Sequence, residues 1–593
     1  MDDQNKNIIL ATALSFIVIL TWFVLFPPPE VAEQAPTTEI TTTDGTTLGV
    51  DAQIPEQVGE VAVLAPLSAE DVIADAPRLV IDSESLTGSL SLTGGRIDDL
   101  SLKGYRETLK PDADLVRLLS PIGTDSPYYA LHGWVAAVGA TADQVPGAST
   151  QWQIESGETL SPGSDVTLVW GNGAGLTFRK TFAVDEEFLF TVTQTVENTT
   201  GAEIALRPYG LVARHGEPDQ IGFFIQHEGV VRMSDGSMEE INYDDMPDLT
   251  TEESRIEVTE NGWIGFSDQY WMTALIPTPG RDFRSTAKFA NDIYQIETVY
   301  PMITVAPGAT ASADTQFFAG AQEWEVIRSY QNDLGIDRFL DSIDWGWFFF
   351  LTKPIFAMLH WLNGLIGNMG WSIICLTFVI KALLLPLAYK SYVSMAKMRE
   401  LQPEMAKLKE AAGDDREKLQ KGMMSLYKEN KVNPASGCLP ILMQIPIFFS
   451  LYKVIFVTIE LRHAPWIGWV NDLSAPDTST LYNLFGLLPW GAPEPDSILA
   501  LAFIGVMPIV LGISMWLQQK LNPAPTDATQ KMIFAWMPWV FMFMLGGFAS
   551  GLVLYWIANN SITFMQQYAI MRSQGFKPDL FGNITGRKKP DPE

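Results

Sequence analysis

Gly370-Trp371-Ser372-Ile373-Ile374-Cys375-Leu376-Thr377-Phe378-Val379-Ile380-Lys381-Ala382-Leu383-Leu384-Leu385-Pro386-Leu387-Ala388-Tyr389-Lys390 reads as a membrane-spanning helix with a lysine near its middle. At about 1.5 Å per residue, Lys381 would lie roughly 14 Å from Lys390 and about as far from Trp371. A lysine stem snorkels several ångströms, which falls short of either polar end. A charge near the bilayer centre costs about 2.5–3.5 kcal/mol even on the lenient insertion scale. Such a residue marks either a water-filled functional site or a buried ion pair. No Asp or Glu occurs in the segments read as spanning, which favours the wet site.

Working outward, five more segments are apolar enough to cross. They are Ile8–Phe26, Cys438–Ile459, Ser497–Leu517, Met532–Gly547 and Ser550–Met571. Ile8–Phe26 ends in Pro27-Pro28-Pro29-Glu30 without a small-residue cleavage site, so it reads as an uncleaved anchor over 1–27. Residues 28–60, rich in Thr, Pro, Glu and Ala, read as a flexible tether. Asp344–Pro354 crowds aromatic residues beside an acid and a lysine, which predicts an interfacial amphipathic region over 336–368. An extension of the next spanning helix is the other reading. The stretch 391–436 carries nine Lys and Arg and loop 460–496 carries one. The positive-inside rule therefore places 391–436, the basic tail 576–593 and both termini in the cytoplasm.

Charge divides the chain into two unlike parts. Residues 27–344 hold 17 Lys and Arg against 51 Asp and Glu, and the remainder holds 22 against 18. That acidity excludes nucleic-acid binding by the soluble part. Within it the hydrophobic period is two, as in Ser85–Leu92 and Phe188–Val196, with Gly, Pro and Asp breaks between runs. Residues 61–335 are expected to form a large antiparallel β-sandwich. His132, His215 and His227 lie there without a spacing that brings them together, so scattered histidines are expected rather than a sugar-processing site. The two cysteines, Cys375 and Cys438, offer neither disulfide framework nor metal spacing, and no cofactor is expected.

Between the first two core spans, Met395, Met398, Met405 and Leu408 recur at helical spacing, and Met423 and Leu426 repeat the pattern after Gly413-Asp414-Asp415. This predicts a charged helical hairpin. Its methionines either receive apolar substrate segments or pack on each other. Thr377 and Lys381 are four apart on one helix, as are Gln444 and Phe448 on the next; the last span carries Tyr555 and Trp556, then Asn559 and Asn560. Together they could line a half-polar groove with one cation, although Gln and Asn also serve as interhelical glue.

Leu387 through Pro403, Lys431-Val432-Asn433-Pro434, Gly437-Cys438-Leu439-Pro440, Gln444-Ile445-Pro446-Ile447-Phe448 and Ser550 through Trp556 carry a family resemblance. In this order and topology they resemble the YidC-type membrane protein insertases of Gram-negative bacteria. The resemblance implies a polytopic α-helical protein of the inner membrane, with six spans, a five-helix core over 369–575 and a periplasmic β-sandwich. It implies a groove open to cytoplasm and lipid, lined by Lys381, Thr377, Gln444, Phe448, Tyr555 and Trp556. Lys381 stands where the family has arginine, keeping the charge and losing the bidentate fork. Trp556 stands where the family has tyrosine. Implied partners are nascent membrane proteins, the Sec translocon, the ribosome or targeting factors, and lipids. The rival is a secondary transporter or channel using Lys381 as an ion site; the chain shows neither an inverted repeat nor an intramembrane acid for coupling. An enzyme in the acidic domain would need a nucleophile–base or metal constellation, and the sequence shows none.

Overall fold

The period-two stretches become strands whose alternate residues meet across two layers. The computed structural model describes residues 67–575, apart from positions 75, 219–226, 414, 431, 433–438, 486, 492, 494–496, 498, 500–502 and 523–527. The expected anchor, the tether and the basic tail lie outside the described residues. Arg78 to Ala321 forms two sheets, one of eleven strands and one of nine. Strand Leu189–Asn198 pairs antiparallel with Leu176–Val184 on one side and Thr310–Ala321 on the other. Phe190, Val192, Gln194 and Val196 of that strand point into the core. Pairing is antiparallel almost throughout, the exception being Val80 and Ile81 beside Thr159 and Leu160.

A lysine is among the charged side chains buried in the sandwich. Lys180 alternates with Phe178 and Phe182 and is fully buried. Its ammonium donates to the Gly94 carbonyl at 2.8 Å and lies 4.7 Å from the Trp152 ring centre. Burial, aided by Arg96, pushes the ammonium down to about 7. Burial, with repulsion from Lys180, pushes the His132 imidazolium down to about 3. His132 packs on Phe317, His215 on Tyr129, and His227 hydrogen-bonds Asn242 and the Val230 carbonyl. Their different neighbours agree with the scattered reading.

Past the last strand the period changes to that of helices. We label these α1 (Trp324–Asp333), α2 (Phe349–Ile366), α3 (Met369–Leu383), α4 (Leu385–Glu400), α5 (Gln402–Ala412) and α6 (Arg416–Glu429). The series continues with α7 (Leu439–Val457), α8 (Val506–Leu521), α9 (Ala528–Met544) and α10 (Ser550–Ser573). The expected interfacial region 336–368 contains one long helix. Phe349–Ile366 is a continuous helix, long and apolar enough by itself to cross a membrane. It ends at Gly367, in the left-handed region, and Asn368 then caps α3 through the Trp371 amide, so α2 is not an extension of the next helix.

Gly370–Lys390 is not one straight helix. It breaks at Leu384, and the two halves meet at 69°. Proline explains the break: Pro386 has no N–H for the Ala382 carbonyl, and its ring crowds that carbonyl. Among the described residues α2 passes the spanning test alone and the α3–α4 pair passes together, while Leu442–Val457 and Met532–Met544 are shorter apolar helices. Among the described residues, then, one helix, or two counting the bent pair, is long and apolar enough to cross a membrane, and the expected span Ile8–Phe26 lies outside them. Of the segment expected at Ser497–Leu517, residues 498 and 500–502 lie outside the described ones, and α8 begins at Val506. There the Asp477 carboxylate accepts from the Met507 amide at 2.8 Å and fixes the N-terminus.

The sandwich is joined to the helices by polar contacts. Asp344 accepts from the His227 amide at 3.0 Å, from the Gly346 amide at 3.0 Å and from the Lys453 ammonium of α7. Lys453 is only 5% exposed in its side chain, so the pair is desolvated. Gln269 donates to the Phe456 carbonyl at 3.0 Å, and Arg462 donates to the Arg106 carbonyl at 2.7 Å while covering Trp271. His360 of α2 lies between two carboxylates, Glu325 and Glu460, each at 2.9 Å. Gly370 lets α3 approach this region, since a side chain there would strike Trp466 at 2.3 Å.

Two predictions follow from buried charge. The folded value of Lys180, about 7, lies below its unfolded value of about 10.4. The cost of burying it is therefore absent above the unfolded value, grows as pH falls through that window and is complete below about 7. Lys180→Met is expected to raise the sandwich's thermal midpoint at pH 7 by roughly 4–10 °C, a gain that shrinks toward pH 10. β-sheet circular dichroism of the solubilised chain reads this; an unchanged midpoint at both pH values would refute it. At the junction, Lys453→Ala should cost about 3–5 kcal/mol by stranding Asp344. Lys453→Met with Asp344→Asn, which removes both charges and keeps an acceptor for one of the two amides, should recover part of that loss in chemical unfolding.

Candidate functional site

The break after α3 decides where Lys381 sits. It is in the last turn of that helix rather than the middle of a span, about 18 Å along the axis from Met369. The C-terminal end of a helix carries roughly half a negative charge, which favours a cation there. The Lys381 ammonium donates to Gln444 Oε1 of α7 at 3.0 Å. Gln444 Nε2 in turn donates to the Tyr555 hydroxyl of α10. Gln566, eleven residues past Tyr555 and three turns along the same face, donates to the Lys381 backbone carbonyl at 3.3 Å. That carbonyl is one the broken helix leaves without a regular partner. Three helices thus meet on one lysine.

The surrounding pocket, about 340 Å³ including its open side, is lined by Lys381, Leu384, Leu387, Ala388, Tyr392, Met443, Gln444 and Gln566. Lys381 is half-buried, and no carboxylate among the described residues pairs with it. The buried-ion-pair alternative is therefore absent at this lysine. One turn along α7 from Gln444, Phe448 stacks on Trp556 with ring centres 5.2 Å apart and planes 9° apart. Phe548 meets the edge of Trp556 at 6.1 Å, and Tyr452 contacts both Phe448 and Phe548. The indole nitrogen of Trp556 replaces no contact of Tyr555, which is itself buried on Gln444.

Of the six residues expected at the groove, Lys381, Gln444 and Tyr555 are joined by hydrogen bonds, and Phe448 and Trp556 stack on each other one turn along. Thr377 is not among them. It is fully buried, and its hydroxyl donates to the Ile373 carbonyl of its own helix at 2.7 Å. Four-residue spacing puts it on the same helix face, but the lysine stem leaves that face at the helix end. Asn560 donates to Ser514 at 3.1 Å and so bridges α10 to α8, the glue role.

The methionines of the helical hairpin face inward. Met405 packs with Leu401, Leu426 and Val432, and Met398 and Met423 lie against that cluster. Met395 lies against Ala388, Tyr392 and Ile570 instead. The stripes therefore pack on their neighbours, and the exposed methionine is Met424, 63% accessible. Three further residues escaped the sequence reading. Lys453 lay inside a segment taken as spanning and is a second cation there, already paired with Asp344. Gln566 and Tyr392 complete the pocket; only the eleven-residue spacing from Tyr555 signals Gln566. Among the described residues no cluster of three His, Cys, Asp or Glu is placed to hold a metal ion.

Comparison with known proteins matches these two halves separately. Residues 78–358 match the family model described as YidC periplasmic domain, and residues 361–577 match the model described as 60Kd inner membrane protein. The chain is 62% identical over 607 residues to the membrane protein insertase YidC of Roseobacter denitrificans, covering 100% of both chains. It is 64% identical over 603 residues to the insertase of Dinoroseobacter shibae, covering 100% of this chain and 99% of that one. A crystal structure of an active YidC insertase is 18% identical, covering 83% of this chain and 94% of that chain, with a TM-score of 0.35. A galactose mutarotase related enzyme from Lactobacillus acidophilus is 10% identical, covering 41% of this chain and 97% of that one, with a TM-score of 0.29. On full-length identity and on both domain matches, the chain belongs to the YidC family of membrane protein insertases.

Proposed function

We propose that Lys381 is the receiving charge of the insertase, acting in a groove bounded by α3, α7 and α10. The observation that supports it is the unpaired ammonium, held in position by Gln444 rather than neutralised by an acid. A charge kept half-buried without a counter-ion attracts an acidic or polar tail more strongly than it would in water. The tail of an incoming protein meets Lys381, and its apolar segment then moves sideways into lipid along Phe448 and Trp556. Flat, stacked rings give that segment a surface without demanding a sequence. The chain supplies no nucleotide chemistry to this step; partition of the apolar segment into lipid drives it.

In this reading the protein spans the inner membrane six times, with both termini and the helical hairpin cytoplasmic and the sandwich periplasmic. Its substrates are nascent membrane proteins, taken from the ribosome or targeting factors, with or without the Sec translocon. The hairpin, with Met424 outermost, meets them first; Met395, Met398, Met405 and Met423 then serve as its deformable interior. The sandwich is a docked brace without chemistry of its own.

The test is insertion of a single-span protein with an acidic N-terminal tail into vesicles holding only this chain, scored by protease protection. Wild type and Lys381→Arg are expected to insert; Lys381→Ala and Lys381→Glu should lose about tenfold or more, the worth of one charge-assisted contact. Gln444→Leu should fall between. Equal insertion by all of these would remove Lys381 from the mechanism.

A further inference from the structure

We infer that, between substrates, the Lys381 pocket holds the phosphodiester anion of a phospholipid. This rests on the reading of Lys381 as the receiving charge. The argument begins with an imbalance. An ammonium has three N–H donors, and among the described residues this one has a single side-chain acceptor, Gln444 Oε1. A half-buried cation without a counter-ion is costly, and the helix end offsets only part of that cost. A second charge of opposite sign relieves it.

The walls say what carries that charge. The lining is part polar, from Lys381, Gln444 and Gln566, and part apolar, from Leu384, Leu387, Ala388 and Met443. Leu383 and Leu385, which flank Leu384 in sequence, are 72% and 40% exposed, and Leu442, next to Met443, is 58% exposed. A small free anion would satisfy the ammonium and leave those leucines against water. An amphiphile with an anionic head and a hydrocarbon tail satisfies both kinds of lining. The membrane around the protein supplies one such molecule in abundance, the phospholipid. The Gln444 amide, already spent on Lys381 and Tyr555, fixes the ammonium without competing for the anion. An acidic substrate tail then enters by exchange with the lipid head, so the groove never passes through a bare-cation state.

The experiment is native mass spectrometry of the delipidated full-length chain titrated with palmitoyl-oleoyl-phosphatidylglycerol. Parallel arms use the matching diacylglycerol, which lacks the phosphate, and inorganic phosphate as competitor. Retention on wild type and Lys381→Arg is expected, with roughly tenfold or greater weakening in Lys381→Met and no retention of diacylglycerol. Equal retention by Lys381→Met overturns the proposal. Displacement of the lipid by millimolar inorganic phosphate also overturns it, assigning the site to a free anion. Lipid retention is read without substrate and insertion with it, so the two ideas fail separately. A Lys381→Met chain that keeps lipid but loses insertion sinks only the lipid assignment. One that loses lipid and inserts normally sinks only the substrate role.

Discussion

An ammonium in an apolar helix bundle needs a fixed partner, and the chain from Lys381 through Gln444 to Tyr555 supplies it. That requirement orders the rest of the helical core. Pro386 stops α3 so that the lysine falls in a last turn, where the helix end favours a cation and frees a carbonyl for Gln566. α7 has to present Gln444 opposite that turn, and α10 has to present Tyr555 and Gln566 three turns apart on one face. Displacing any of the three helices breaks a link in the chain. Polar side chains here set geometry more than they add stability, since each hydrogen bond contributes only about 1 kcal/mol net.

The same helix, α7, is held a second time at its other end. Lys453 lies nine residues past Gln444, about 13 Å along the axis, and is tied to Asp344 and through it to the sandwich. Two cations on or against one apolar helix system thus have opposite treatments. Lys453 is neutralised and desolvated, which makes it a structural pin. Lys381 is held and left unneutralised, which keeps its field available. The difference is the presence of one carboxylate.

Much of this was legible in the sequence because it rests on periodicity and local chemistry. Alternation in Phe188–Val196 gave strands with the right residues inward, and the Gly413 turn separated two helices whose methionines pack together. Family strings brought Gln444, Tyr555 and Trp556 to Lys381. What escaped depends on tertiary placement. A proline near the end of an apolar run reads equally as a tolerated kink or a full break, and packing decided for a 69° bend. Thr377 shares a face with Lys381 by spacing, yet a hydroxyl can satisfy itself on its own helix, which spacing alone does not reveal. The Lys453–Asp344 pair joins residues 109 apart, so neither could announce the other.

Asp344 also sets a limit on how this architecture can be shortened. Its carboxylate belongs by sequence to the segment leaving the sandwich but neutralises a lysine of the helical core. Evolution could trim strands before it and leave the core electrically intact. Trimming through position 344 would leave the Lys453 ammonium without its carboxylate, unless Lys453 changed in the same lineage. The electrical border of the helical core therefore does not follow the end of the β-fold. It runs well past the last strand, which ends at Ala321, at the carboxylate that neutralises Lys453.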